Sequence, residues 1–154
     1  LTPAEAEELA RRLLLGIKRP ADDGVVAAMV EHSGSIPFLV HALAHRLHNA
    51  DVGPVSTEDV ATAFVAFMDD RDDSRAVTHL VTRLDPLYGD RAPTAESLLD
   101  RVAIANTINI SDAAVPDALV DDLIDDHYLI ERDRAIRWRH DVLRRIWMHR
   151  RRLG

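Results

Sequence analysis

The sequence contains no cysteine, which removes disulfides, thiolate metal sites and cysteine nucleophiles together. Aromatic residues make up only 5% of the chain, so its interior must be built from smaller side chains, chiefly alanine, leucine and valine. No apolar run approaches the ~18 residues that a membrane span requires, and no secretory leader marks the N-terminus. No membrane association is expected, and the expected compartment is the cytoplasm. There is no P-loop pattern, no zinc-protease histidine pair and no nucleophile elbow. The chain is therefore not expected to be an enzyme by itself. It begins with Leu1 rather than methionine, as a piece of a longer protein would.

What is present is enough for one large or two small domains: 154 residues, 47% of them hydrophobic, which can form a packed core without staples. The net charge of −7 is unevenly spread. From Arg132 onward nine arginines stand against Asp133 and Asp141, a surplus of seven positive charges, which leaves −14 on residues 1–131. A basic tail on an acidic body suits an anionic partner such as nucleic acid, a nucleotide phosphate or the acidic remainder of the protein. It equally suits simple charge balance for solubility.

Helix signals are dense in the first half. Thr2-Pro3-Ala4-Glu5 places a capping threonine before a proline at the first helical position, with Glu5 set to complete a capping box. Ala6, Leu9, Ala10, Leu13 and Leu14 follow at helical spacing, and Gly16 or Pro20 ends the segment. Asp22-Asp23 opens a second helix that Gly34 stops. A third is expected from Pro37 to Asn49, and Ser56–Asp59 opens a fourth through Val60, Phe64, Phe67 and Met68. Four short helices with brief connections predict a small bundle over residues 1–69.

Asp69–Asp73 is the clearest boundary, because five consecutive charged residues cannot enter a core. Beyond it Ser74 can cap a helix carrying Val77, Leu80, Val81, Leu84 and Leu87 that ends near Tyr88-Gly89. Thr94–Ala105 forms the next, Thr107–Ile110 is short enough to be a strand, and Pro116 restarts a helix through Leu119, Val120, Leu123 and Ile124. Tyr128–Glu131 and Ala135–Arg139 predict a hairpin around Arg132-Asp133-Arg134, and Asp141–Leu153 a terminal helix. That order predicts a winged-helix domain over residues 74–154, in a chain that is mainly α.

Several side-chain groupings carry possible chemistry. His41, His45 and His48 fall at i, i+4 and i+7, a spacing that can share a metal, yet they lie opposite the Leu39/Leu43/Leu47 stripe and read as a solvated or partner-facing stripe with no metal. Asp117, Asp121, Asp122, Asp125 and Asp126 crowd the helix that a winged helix would lay in a DNA groove, opposing phosphate contact there. The same helix could dock a basic protein partner, and the Arg-rich wing and tail could still touch a nucleic-acid backbone. Trp138 and Trp147 alternate with arginines, a pattern that either stacks a base or, more commonly, covers the edge of a small core. Finally, His140 stands at the hairpin-to-helix junction in Arg139-His140-Asp141, where an imidazole can address an anion beside a helix N-terminus.

Three features, taken in order, resemble the portion that follows the P-loop domain in STAND-type signal-transduction ATPases, relatives of the AAA+ class. They are the Gly34-Ser35-Ile36-Pro37-Phe38-Leu39-Val40 turn within four helices, the winged-helix pattern and the Arg139-His140-Asp141 element before the last helix. Bacterial members often carry a stretch similar to Gly34–Val40, and Leu123–Leu129, just before the wing, also resembles the family. The resemblance covers nearly the whole chain. It implies a four-helix lid bundle followed by a winged-helix domain with a short β-hairpin, which together complete an ADP/ATP site held mainly by an upstream P-loop domain, with Mg in the parent protein. It places Pro37 near the adenine, His140 near the β-phosphate of ADP, and Asp141 as a brace for the following helix. It also implies a nucleotide-dependent conformational switch hinged near Asp69–Asp73. The family's lid turn is Gly-x-Pro, whereas Ser35 occupies the glycine position here, and Arg139 replaces the family's methionine. Two other functions fit the residues: a DNA-binding module of a regulatory or origin-recognition type ATPase, and a protein-interaction adaptor.

Overall fold

The N-terminal capping box forms as its residues dictate. In the computed structural model the Thr2 hydroxyl accepts the Glu5 amide at 3.2 Å, and the Glu5 carboxylate accepts the Thr2 amide at 2.8 Å. The structure describes residues 1–50, 53–70 and 84–154. They are mainly helical, with a small three-stranded antiparallel sheet. The chain divides into two units, Leu1–Ser74 and Arg75–Gly154.

In the first unit α1 (Pro3–Gly16), α2 (Asp23–Ser33), α3 (Pro37–Asn49) and α4 (Thr57–Asp69) pack on one another. Asp22 caps α2 through a 2.9 Å bond from the Val25 amide, and Ser56 with Asp59 repeats the capping box at α4. These backbone bonds hold the Glu5 and Asp59 carboxyls below their ordinary values. The α1 stripe reduces to Ala6, Ala10 and Leu14 in the buried set, and the two alanines let neighbouring helices approach closely. Met29, Leu39, Leu43, Leu47 and Phe67 fill the rest, each nearly inaccessible. Arg19 ties the far end together: its guanidinium donates to the Leu47 carbonyl at 2.7 Å and to Gly53 at 3.0 Å, while the Val55 amide donates to Pro20 at 2.9 Å.

The second unit begins, within the described residues, with α5 (Leu84–Tyr88), followed by a 3-10 turn and α6 (Ala92–Ala105). The expected Ser74 cap and the apolar positions Val77, Leu80 and Val81 lie outside the described residues, as do 71–73 of the charged boundary. Helix α6 starts two residues before the expected Thr94, because Pro93 fits a first turn where its missing N–H is not needed. The ambiguous segment contributes β1 (Ile108–Asn109), and α7 (Asp117–Asp125) follows Pro116. Then β2 (Leu129–Arg132) and β3 (Ala135–Trp138) form the hairpin, and α8 (Asp141–Arg151) closes the chain, ending two residues short of Leu153 where Arg152 turns left-handed. Strand β3 is central, antiparallel to both neighbours, with Leu129 opposite Trp138 and Ile108 opposite Ile136. Leu98, Leu99, Val102, Leu123, Leu129, Ile136 and Trp147 make the core on which the sheet rests.

Among the described residues, no helix is long and apolar enough to cross a membrane.

Candidate functional site

The turn before α3 is built from the end of α2. Gly34 takes φ 58° and ψ 30°, its amide donates to Glu31, and the Ser35 amide reaches back to Val30. This pair of bonds is the Schellman ending that a left-handed C-terminal residue makes possible. Ser35 follows at φ 60°, also left-handed, which is glycine's region. Ile36 is extended, and Pro37 opens α3 at its first position with no side-chain cap behind it. Leu39 and Val40 point into the bundle, while Pro37 is exposed and Phe38 keeps 44% of its surface in water. Two adjacent left-handed residues thus present the Pro37 ring and the Phe38 edge to solvent from a rigid helix start.

His140 lies in the other unit, at the joint between β3 and α8. It is the N-cap residue of α8, with extended backbone at φ −122° and ψ 122°, and its carbonyl accepts the Leu143 amide at 3.1 Å and the Arg144 amide at 3.2 Å. Its ring makes no capping bond, so the first helical amides carry no side-chain acceptor. The ring is half-buried, and burial is the first cause that moves its pKa below the usual histidine value; the charges of Arg139 and His127 push the same way. Asp141 braces the helix start, as its carboxylate meets Arg144 Nε at 2.8 Å and Arg145 Nε at 3.2 Å. Arg144 also reaches the Ala103 carbonyl at 3.0 Å, fastening α8 to α6. The result is an imidazole beside a helix N-terminus that has no side-chain cap, with an exposed arginine next to it, a setting that favours an anion.

His127 is the residue at this site that the sequence does not announce. It sits left-handed at φ 67° just after α7, which brings its charge to bear on His140 across a gap of 13 in the sequence. Pro37 and His140 occur on different units.

His41, His45 and His48 are all exposed on α3, with Asn49 Nδ2 3.2 Å from His45 Nε2. Among the described residues no three acidic or histidine side chains gather as a metal site would need. Trp138 and Trp147 are core residues at 6% and 1% exposure, so neither offers a face to a base. In the acidic helix, Asp122 pairs with Arg91 at 2.7 Å and Asp126 accepts the Tyr88 hydroxyl at 2.5 Å, raising the pKa of that phenol after burial has already done so. Asp117, Asp121 and Asp125 remain exposed. Asp121 and Asp125 line a shallow groove with Ile124, Ile130 and Glu131. A cleft of about 340 Å³ in the first unit, lined by Arg11, Leu14, Leu15, Pro20 and Val26 among others, touches none of these groups.

No protein-family model, curated protein or solved structure matches the chain.

Proposed function

We propose that the chain is the lid and winged-helix portion of a STAND-type, AAA+-related ATPase, and that it completes an ADP/ATP site whose phosphate-holding part is a P-loop domain of the parent protein. Within this reading the Leu1–Asp69 helices form the lid, and α6, α7, the hairpin and α8 form the winged helix. Pro37 contacts the adenine side and His140 the phosphate side. The chain acts as a regulatory switch rather than as an enzyme by itself, in a soluble, cytoplasmic parent that signals through further partners.

The observation that carries the reading is the state of His140. Its ring is half-buried and is not spent on capping α8, and Arg139 stands beside it. The first amides of α8 thus take no side-chain acceptor from the N-cap, and a helix N-terminus is where an anion is well received. The Ser33–Val40 turn adds support. The resemblance asks for glycine at position 35, and Ser35 takes the left-handed backbone that glycine favours. The Pro37 ring behind it is exposed.

The test is ADP release from the full-length parent. His140→Ala is expected to speed dissociation by about tenfold or more, as loss of one hydrogen bond to a charged group should. Pro37→Gly should weaken ADP and ATP alike. An unaltered off-rate in the His140 variant, with the fold intact, would sink the assignment.

A further inference from the structure

We propose that the outward face of the β2–β3 hairpin binds the phosphodiester backbone of duplex DNA, without reading its sequence. The observation is a set of four arginines. Arg132, Arg134, Arg137 and Arg139 are all exposed, and among the described residues none of them has a carboxylate partner. Elsewhere in the basic tail Arg144 and Arg145 are engaged with Asp141, and Arg151 with Asp100 and Glu96, while Arg150 and Arg152 belong to the end of the terminal helix and stand outside the hairpin.

The register places the four together. Leu129 and Trp138 face the core as a pair, so Arg137, opposite Ile130, and Arg132, opposite Ala135, face away from it. Arg139 continues the outward row one step past β3, roughly 6.6 Å beyond Arg137 at about 3.3 Å per residue. Arg134 sits at the tip, where it and Asp133 both take positive φ, 62° and 54°, in the two-residue turn. Glu131 alternates to the opposite side, opposite Ile136.

The composition of this face selects the partner. A protein interface needs a buried apolar or aromatic anchor at its centre. The hairpin's large ring, Trp138, is turned inward at 6% exposure, so its outward face is guanidinium with only the half-buried Ile130 and Ala135 between. Phosphates need no apolar anchor, and planar guanidinium forks match their oxygens. The exposed carboxylates of α7, which packs on β2, repel a polyanion and confine contact to the hairpin. Binding is therefore weak, non-specific and strongly salt-dependent.

The experiment is fluorescence anisotropy of a labelled duplex of about 20 base pairs with the 154-residue chain, at 50 and 200 mM NaCl. Four contacts at a slope of about 0.9 each predict roughly 150-fold weaker binding across that fourfold rise in salt. Arg137→Glu/Arg139→Glu, at exposed positions, should abolish binding at 50 mM while keeping the far-UV spectrum and melting temperature. Asp121→Asn/Asp125→Asn should tighten it. No binding at 50 mM, binding that survives the double Glu variant, or equal competition by poly-glutamate would overturn the proposal, the last in favour of an acidic protein partner. His140→Ala keeps all four arginines, so failure here and failure of the nucleotide reading are separable.

Discussion

Trp138 and Trp147 lie with ring centroids 5.3 Å apart and planes tilted by 49°, and each indole N–H reaches a neighbouring residue of α6. Trp138 donates to the Leu99 carbonyl at 3.2 Å, and Trp147 to the Asp100 carboxylate at 2.8 Å. Asp100 also receives Arg151 at 2.6 and 2.8 Å, and the Arg151 guanidinium stands 5.0 Å over the Trp147 ring. One carboxylate thus joins the terminal helix to the core through an indole and a guanidinium. Trp147→Ala is expected to cost about 3–5 kcal/mol. Asp100→Ala should cost about 1–3 kcal/mol by leaving the buried indole N–H unpaired. Urea unfolding followed by tryptophan fluorescence measures both, and an Asp100→Ala loss under about 0.5 kcal/mol would show that the carboxylate contributes nothing beyond a surface pair.

Left-handed residues offer a second expectation. Helix α7 ends with the His127 amide donating to Ile124 and the Tyr128 amide to Leu123, the same Schellman pair that Gly34 makes after α2, but with histidine in the glycine position. His127→Gly relieves that conformation and should stabilise the second unit by about 1 kcal/mol. For a unit of this size the melting temperature should rise by about 4–8 °C. His127→Ala provides the contrast, since it keeps the strain, and an equal rise in both variants would contradict the backbone explanation.

The same residues explain what the sequence does and does not reveal. Elements whose ends carry ordinary punctuation are legible: Thr2-Pro3, Asp22, Ser56 and Gly34 bound α1, α2 and α4 where capping chemistry says they should. Lys18, His127 and Arg152 also end helices left-handed, yet nothing in their side chains signals it, so the ends near them are blurred. Strand β1 is two residues long and exists because β3 offers an edge to Ile108 and Asn109, a tertiary cause that no local pattern records. At the candidate site, His140 is legible from its place between hairpin and helix. The influence of His127 and the unused cap are not, because they depend on how the end of α7 packs near β3.

Acidification gives a third expectation. The folded state holds His140 below its ordinary 6.5, so between those two values the unfolded chain binds the extra proton. Stability from this site is complete above the ordinary value and is lost as pH falls toward the lowered one. His140→Asn should flatten the fall in melting temperature between about pH 7 and pH 5. The Glu5 and Asp59 carboxyls, held below 4.5 and 3.8, lose their share only in more acidic solution, so the two windows separate. A variant whose melting temperature still falls as steeply through the upper window would place the titration elsewhere.

Arg19 carries a fourth. Its guanidinium bonds the Leu47 and Gly53 carbonyls from a half-buried position, and a flexible ammonium cannot reproduce that fork. Arg19→Lys and Arg19→Ala should both destabilise the first unit, by about 1–3 kcal/mol. Thermal unfolding checks this, and a silent lysine variant would show that charge alone suffices.

The most direct measurement of the central claim is the His140 ring titration followed by NMR in the intact parent protein, with and without saturating ADP. A phosphate beside the imidazole must raise its pKa from the lowered value of the free state and shift its ring resonances. A titration curve and chemical shifts that ADP leaves unmoved would contradict the account.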